Sequence, residues 1–155
     1  MIAVLQRVKS CSVIANGVLS GKISEGLYIL LGVHCDDTER DAVLLAEKIS
    51  KLRIFSDAGG KMNLSVNDIS GEVLVVSNFT LNANYAHGNR PDYLASAAPE
   101  EANRLYLKFV SEIGSRVRKC ECGVFGADMQ TEMITDGPVT IVMNSAILQR
   151  KDSTR

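Results

Sequence analysis

Histidine is scarce in this sequence, which contains only His34 and His87 among its 155 residues. The four cysteines do not make up for this as metal ligands, because Cys120-Glu121-Cys122 lacks the two-residue spacer of a zinc knuckle. The sequence also has no Gly-x-Ser-x-Gly elbow, so a serine hydrolase of that kind is not indicated. Reduced, unligated thiols are therefore expected, and neither a metal nor another cofactor is predicted.

Long apolar runs are also absent. No run approaches the ~20 residues that a membrane-spanning helix needs. The N-terminal run from Met1 to Leu5 meets Gln6-Arg7 too soon to be the apolar core of a signal peptide. A cytoplasmic location without a membrane partner is therefore expected.

The chain has little net charge, with 17 basic residues, 18 acidic residues and a formal charge of −1. Indiscriminate nucleic-acid binding needs local positive charge to neutralise phosphates, so DNA is not an expected partner and any RNA contact must be a patch. A solvated face is the commoner role of basic runs. The densest basic clusters are Arg116, Arg118 and Lys119, and Lys48, Lys51 and Arg53.

The composition supports one compact domain, because 46% of the residues are hydrophobic and a chain of this length can bury a proper core. We place the domain at residues 1–148 and expect the polar tail, residues 149–155, to be disordered. Two helices, about eight strands and no βαβ rhythm predict an α+β fold. The expected sheet is strongly curved and barrel-like, antiparallel or mixed, and packs with two main helices.

Local signals place these elements along the chain. One helix is predicted to begin at Thr38, where Asp41 completes something close to a capping box. A second helix opens at Pro99 or its neighbour and ends at Gly114. Asn16-Gly17 suits a type I′ hairpin turn. The strands predicted in the first part of the chain are Ile2–Val8, Ser12–Ile14, Val18–Ile23 and Gly26–Val33.

The most informative stretch runs from Glu72 to Leu81. Its four consecutive apolar residues, Val73 to Val76, are typical of a strand that is covered on both faces. The polar residues that follow would then be held in a fixed position at the end of that strand, where they could wall a pocket. Alternatively, Ser77 and Thr80 merely satisfy backbone groups at the strand end.

A second stretch, Thr135 to Thr140, contains a Gly-Pro pair between two strand-like runs, Gln130–Ile134 and Val139–Asn144. Proline removes a hydrogen-bond donor and glycine permits unusual backbone angles, so the pair cannot continue a strand ladder. The sequence therefore predicts a stiff corner whose carbonyl groups point outward.

Together, Ser77-Asn78-Phe79-Thr80-Leu81 and Asp136-Gly137-Pro138-Val139-Thr140 closely resemble the two signature motifs of the D-aminoacyl-tRNA deacylases. The resemblance spans nearly the whole chain, from Met1 to about Val142. Its further parts are Gln6-Arg7-Val8, Arg53-Ile54-Phe55-Ser56-Asp57, Gly60-Lys61-Met62-Asn63-Leu64, Arg90-Pro91 and Phe125-Gly126-Ala127-Asp128-Met129.

The resemblance implies an enzyme that hydrolyses the ester of D-aminoacyl-tRNA, with aminoacylated tRNA as its partner and a homodimer as its active form. It implies that catalysis depends on Ser77, Asn78, Phe79 and Thr80. It implies substrate binding by Gly137, Pro138, Thr140, Met129 and Arg7, and tRNA binding by Arg90 and Lys61. In such enzymes the Gly-Pro peptide is cis and reaches into the partner's pocket, where it crowds out an L side chain, and an arginine equivalent to Arg7 holds it in place. Glycine, including glycine mischarged on tRNA(Ala), should pass this filter.

Two residues depart from the family pattern. Asn78 stands where the family usually has glutamine, and Thr135 stands where asparagine usually precedes the Gly-Pro corner. Both departures are expected to affect rate more than reaction type. The resemblance also implies a catalytic scheme in which backbone N–H groups near Phe79 and Thr80 stabilise the oxyanion.

Two other functions fit the residues. The first is a non-catalytic RNA-binding dimer that kept the pocket but lost turnover, for which Asn78 and Thr135 would be the evidence. The second is a hydrolase of small esters with a threonine or cysteine nucleophile, which would form a covalent intermediate.

Overall fold

Eight strands and three α-helices make up residues 1–149, the part of the chain that the computed structural model describes. A short 3₁₀ turn follows the sixth strand. In chain order the elements are β1 (Ile2–Ala15), β2 (Val18–Ile23), β3 (Gly26–Gly32), α1 (Glu39–Ser50), β4 (Phe55–Ser56), β5 (Met62–Leu64), β6 (Glu72–Ser77), the 3₁₀ turn (Phe79–Asn82), α2 (Pro99–Gly114), β7 (Lys119–Cys122), β8 (Met129–Asn144) and α3 (Ser145–Gln149).

Six strands form one mixed sheet, with neighbours in the order β2-β1-β3-β6-β7 and with β8 paired to β1. The long strand β1 pairs with β3 through its first half, with β2 through its second half, and with β8 along nearly all of its length. The sheet then curls so that β7 approaches β2, where Lys119 Nζ donates to the Lys22 carbonyl at 2.7 Å. The sheet is therefore nearly closed, which confirms the predicted barrel-like α+β fold.

The predicted absence of a βαβ rhythm is wrong. β3 pairs with β6 and β6 pairs with β7 in parallel, and the connections run through α1 and α2 respectively. The small β4–β5 hairpin separates α1 from β6, and a long segment separates β6 from α2. These insertions hide the alternation of strands and helices in the sequence. The predicted strands Ile2–Val8 and Ser12–Ile14 are parts of the single strand β1, because the ladder with β8 continues between them.

The core has two parts. One lies between the sheet and the helices α1 and α2, where Leu45, Ile49 and Phe109 are fully buried. The other contains Tyr28 and Leu74 on the opposite face of the sheet. Fully burying an aliphatic side chain contributes about 1.5–3 kcal/mol, so these faces hold the curved sheet against its helices. Within residues 1–149, no helix is long and apolar enough to cross a membrane.

Asp41 joins the beginning of α1 to the end of the domain. Its Oδ2 accepts hydrogen bonds from the Thr38 N–H and hydroxyl, both at 2.9 Å, which confirms the predicted capping box. Its Oδ1 accepts from Ser145 Oγ at 2.7 Å and from Gln149 Nε2 at 2.6 Å. Gln149 therefore ends α3 rather than opening the predicted tail, whose residues 150–155 lie outside the described part of the chain.

An Asp41→Asn variant is expected to be less stable than the unaltered protein by about 1–3 kcal/mol at pH 7, because the carboxylate accepts several hydrogen bonds. Burial alone would raise the pKa of Asp41, but the hydrogen bonds from Ser145 and Thr38 outweigh it and hold the pKa below its ordinary value of 3.8. A carboxylate whose pKa is lowered by folding stabilises the fold at pH values above its pKa in the unfolded state. This stabilisation is lost as the pH falls through its pKa in the folded state. The stability difference should therefore shrink below pH 3.8.

Urea unfolding of both proteins across this pH range measures the effect. Asp36→Asn is the matched control, because the Asp36 side chain is 89% exposed. Equal unfolding free energies of Asp41→Asn and the unaltered protein at pH 7 would contradict the assigned role.

Candidate active site

The site begins at the end of β6, which lies between β3 and β7 in the sheet. Val73, Leu74 and Val75 are fully buried, as the apolar run predicts for a strand covered on both faces. Beyond Ser77 the chain leaves the ladder, and the Asn78 N–H donates to the Leu31 carbonyl at 2.8 Å. The buried strand therefore fixes where the following turn begins.

Asn78 caps the Phe79–Asn82 turn with its side chain. Its Oδ1 accepts the Thr80 N–H at 3.1 Å and also accepts the Thr80 hydroxyl. A short amide side chain is well suited to this local cap. The Thr80 N–H and hydroxyl are therefore both occupied by Asn78 in the free chain.

Ser96 fixes the same turn from the other side. Its hydroxyl donates to the Phe79 carbonyl at 3.2 Å and accepts from Asn82 Nδ2 at 3.3 Å. Asn82 Nδ2 also donates to the Val33 carbonyl at 2.8 Å. The Phe79–Thr80 peptide is thus held at both its C=O and its N–H. Phe79 is the first residue of the turn, and the first N–H of a helix has no acceptor within the helix, so this N–H is available.

A cavity of about 540 Å³ opens beside this turn. Four segments line it: the end of β3, the end of β6 with the start of the turn, the arm that leads into α2 with the start of that helix, and the segment that leads into β8. The rings of Phe79 and Tyr93 meet edge to face with centroids 5.0 Å apart. Of the predicted site residues, the cavity is lined by Ser77, Asn78, Phe79 and Met129, and Thr80 is not among its lining residues.

The cavity has no paired nucleophile and base among its lining residues. Neither histidine lines it, and its one acidic side chain is Asp128. Burial raises the pKa of the Cys11 thiol to about 11 and that of Cys120 to about 12, with further contributions at Cys120 from Cys122 and Glu121. Those thiols are therefore poor nucleophiles, and a conventional nucleophilic mechanism finds no support in the cavity.

One group of metal-ligand type was not foreseen from the sequence. His34, Cys35 and Asp36 place their ligand atoms within 4.8 Å of one another, on the loop that follows β3. The group is largely exposed and does not line the cavity beside Phe79.

The Gly137–Pro138 corner lies inside β8, and its peptide bond is cis. Gln6 pairs with Thr140 and Val8 pairs with Thr135, so four residues of β8 bulge opposite the single residue Arg7. Arg7 Nε donates to the Asp136 carbonyl at 3.0 Å, and Arg7 Nη1 donates to the Ile54 carbonyl at 2.8 Å. The predicted contact of Arg7 with the corner is therefore present.

The predicted site residues fall into two separate groups. Gly137, Pro138 and Thr140 are exposed and do not line the cavity of their own chain. Arg90 and Lys61 are exposed in loops and do not line this cavity. Sequence analysis missed Tyr93 and Ser96, although both contact Phe79, because each lies in a long irregular segment without a recognisable motif.

The family model and the curated relatives that match this chain describe the same kind of protein. A family model described as D-Tyr-tRNA(Tyr) deacylase matches residues 4–144. The D-aminoacyl-tRNA deacylase of Caldicellulosiruptor saccharolyticus is 52% identical over 145 residues, which cover 94% of this chain and 97% of that protein. The D-aminoacyl-tRNA deacylase of Dictyoglomus turgidum is 49% identical over 150 residues, which cover 97% of this chain and 96% of that protein.

Two solved structures share the fold. A protein described as c-Myc DNA Unwinding Element Binding Protein superposes with a TM-score of 0.87 at 37% identity, covering 93% of this chain and 98% of that chain. A probable eukaryotic D-amino acid tRNA deacylase superposes with a TM-score of 0.79 at 14% identity, covering 92% of this chain and 97% of that chain. The cavity beside Phe79 and the corner held by Arg7 are consistent with these matches. The chain belongs to the D-Tyr-tRNA(Tyr) deacylase family.

Proposed function

We propose that this protein hydrolyses the ester of D-aminoacyl-tRNA and releases the free D-amino acid and tRNA. The observation that carries the proposal is the Phe79–Thr80 peptide, which is held at both ends beside the cavity and leaves the Phe79 N–H available. A rigid donor of this kind is suited to an ester that is already activated. The family relationship supports the same reaction.

The substrate supplies much of the reactivity. An aminoacyl ester on the terminal ribose has a neighbouring hydroxyl, so the protein needs mainly to orient it and stabilise negative charge. Water attacks the carbonyl carbon, the carbonyl oxygen becomes the oxyanion, and the bond to the ribose oxygen then breaks as that oxygen takes up a proton. The Phe79 N–H faces the oxyanion and contributes about 3 kcal/mol. The Thr80 N–H, the other candidate from the sequence, is occupied by Asn78.

Selectivity for the D enantiomer comes from the corner of a second copy of the chain. The exposed Gly137–Pro138 peptide enters the partner's cavity, where its carbonyls meet the substrate's α-amino group and leave no room for an L side chain. A rigid corner rejects the L substrate because the L side chain would clash with it, not because a favourable contact is missing. Glycine has no side chain to exclude, so glycine mischarged on tRNA(Ala) is a second substrate.

The homodimer forms through the face of β8 that carries the corner. Ile134 and Val142 flank the corner and are 64% and 70% exposed, which is unusual for large aliphatic side chains. They pair with Ser10 and Val4 of β1, on either side of the corner. A twofold interface there brings each corner to the other copy.

Exposed basic side chains hold the tRNA. Arg90 and Lys61 contact phosphates near the acceptor end, as the family resemblance implies. Two residues of the basic cluster at 116–119 are less suitable, because Arg116 pairs with Glu112 and Lys119 lies 3.7 Å from Glu72.

The two departures from the family pattern fit this arrangement. Asn78 reaches the Thr80 N–H with its short side chain and so completes the turn locally. Thr135 remains in the ladder opposite Val8, on the edge of the corner rather than at the cavity. Neither change removes the Phe79 N–H.

Hydrolysis of D- and L-aminoacyl-tRNA with EDTA present tests the function. Release of free D-amino acid with little release of the L form supports the proposal. Retention of the charged RNA without release would instead indicate a non-catalytic RNA-binding dimer, and equal turnover of both enantiomers would remove the proposed filter.

A Thr80→Ala variant is expected to keep most of the activity. Its hydroxyl donates to Asn78, and one neutral hydrogen bond contributes about 0.5–1.5 kcal/mol, so kcat should fall by less than about 10-fold. Single-turnover kinetics measures the loss. Abolished turnover together with a covalent adduct on Thr80, seen by mass spectrometry of quenched protein, would show that Thr80 is a nucleophile.

A further inference from the structure

We propose that a second cavity, on the far side of the Phe79–Asn82 turn, binds the base of the nucleotide that precedes the aminoacylated one. This inference rests on the proposed function. The cavity has a volume of about 430 Å³ and is wide open to solvent. It is lined by Ile2, His34, Leu81, Asn82, Ala83, Asn84, Tyr85, Ala86 and Ala95.

The second cavity lies next to the site of reaction. Phe79 lines the first cavity, while Leu81 and Asn82 line the second. The residues of a 3₁₀ turn rise by about 2 Å each, so only a few ångströms of backbone separate the two cavities. A strand of RNA whose last nucleoside enters the first cavity therefore has its preceding nucleotide next to the second.

The lining of the second cavity is chemically suited to a base. Leu81 and three alanines provide an apolar floor, and the side chain of His34 provides a polar group. Tyr85 is 78% exposed, although it is a large aromatic side chain at the rim of an apolar cavity. Unpaired RNA bases are recognised by stacking on such rings and by hydrogen bonds to their edges.

Hydrogen bonds close the loop that carries Tyr85. The backbones of Asn84 and Asp92 exchange hydrogen bonds of 2.9 and 3.0 Å, and Asn84 Nδ2 donates to Asp92 Oδ2 at 3.0 Å. These three hydrogen bonds fix the base of a loop that contains both Tyr85 and Arg90. An aromatic ring and a guanidinium on one short loop can hold a base and a neighbouring phosphate together.

The return arm of this loop is attached to the body of the protein. The Cys35 N–H donates to the Ala95 carbonyl at 2.9 Å, and the Ala97 N–H donates to the Val33 carbonyl at 3.1 Å. The second cavity thus has one wall from the end of β3 and another from the loop. A preformed cavity is suited to a small, flat ligand such as a single base.

The test compares two substrates that differ only in the preceding nucleotides: a D-aminoacyl adenosine and a D-aminoacyl CCA trinucleotide. Tyr85→Ala is expected to lower kcat/KM for the trinucleotide by about 5- to 100-fold, mainly through KM, and to leave the adenosine substrate unchanged. Tyr85→Phe keeps the ring and should restore the trinucleotide to the level of the unaltered protein. Leu94→Ala is the matched control, because Leu94 is 88% exposed in the same region and lines neither cavity.

Equal effects of Tyr85→Ala on both substrates, or no effect on either, would overturn the base site. A weaker dimer in sedimentation would also overturn it, since the cavity would then be covered by a second copy of the chain. Failure of the proposed function looks different: the unaltered protein would release no amino acid from either substrate.

Discussion

A Phe79→Pro variant is expected to lose about 100- to 1000-fold in kcat, which is the usual cost of removing one oxyanion donor. Proline has no backbone N–H, and it is tolerated in the first turn of a helix, where Phe79 lies. Asn78, the residue before it, is extended, with φ −147° and ψ 94°, and so is outside the helical region that a following proline disfavours. The substitution therefore removes the donor while the turn can still form.

Phe79→Ala separates the backbone from the side chain. It removes the aromatic ring that meets Tyr93 but keeps the N–H, so its main effect should be a higher KM. Single-turnover rates and thermal unfolding of both variants complete the measurement. If Phe79→Ala and Phe79→Pro lose kcat equally while both remain folded, the N–H is not the oxyanion donor.

Gly137→Ala is expected to raise the ratio of L to D hydrolysis by about 10- to 200-fold. A pocket that discriminates by shape changes kcat/KM by about this factor for one small group on the substrate. A Cβ on Gly137 would lie 2.1 Å from the backbone nitrogen of Val139, so the corner must shift to accept it. A displaced corner no longer fills the space that an L side chain needs. The measurement is kcat/KM for D- and L-aminoacyl-tRNA with the same amino acid.

Gly114→Ala is the control for this variant. A Cβ there would meet only Cys120 Cβ at 3.5 Å, an ordinary contact, so the ratio of L to D hydrolysis should stay unchanged. An unchanged ratio in Gly137→Ala, with the protein folded and active, would mean that the corner does not select the enantiomer.

Much of the fold could be predicted because several signals were local. The Thr38–Asp41 capping box, the helix end at Gly114 and the buried strand from Val73 each follow from short patterns, and each is present. The parallel pairing of β3, β6 and β7 could not be predicted in this way. Parallel pairing is set by long connections, and here the β4–β5 hairpin and the segment before α2 interrupt the alternation of strands and helices.

The candidate site was predictable only where residues follow a strand or a corner directly. Ser77 to Thr80 follow β6, so the sequence placed them together. Ser96 reaches the Phe79 carbonyl from 17 residues further along the chain, and Tyr93 reaches the Phe79 ring in the same way. Such contacts depend on how the intervening loop returns, and no spacing rule encodes that path.

The corner shows a further limit of sequence reasoning. Arg7 lies within a strand, where an edge or surface charge is the ordinary expectation, yet it bridges Asp136 and Ile54. Only the family resemblance pointed to this contact. The proposed service of the corner to a second copy's cavity is a relationship that patterns within one chain do not specify.

A mixed dimer of one Gly137→Ala chain and one Phe79→Pro chain tests this arrangement most directly. Two different tags purify it, and kcat/KM is measured for both enantiomers. Its one competent cavity, in the Gly137→Ala chain, faces the intact corner of the other chain, so the account predicts that the mixed dimer rejects L-aminoacyl-tRNA as the unaltered protein does. An L-to-D ratio equal to that of the Gly137→Ala homodimer would contradict the account, because the corner would then act on its own chain.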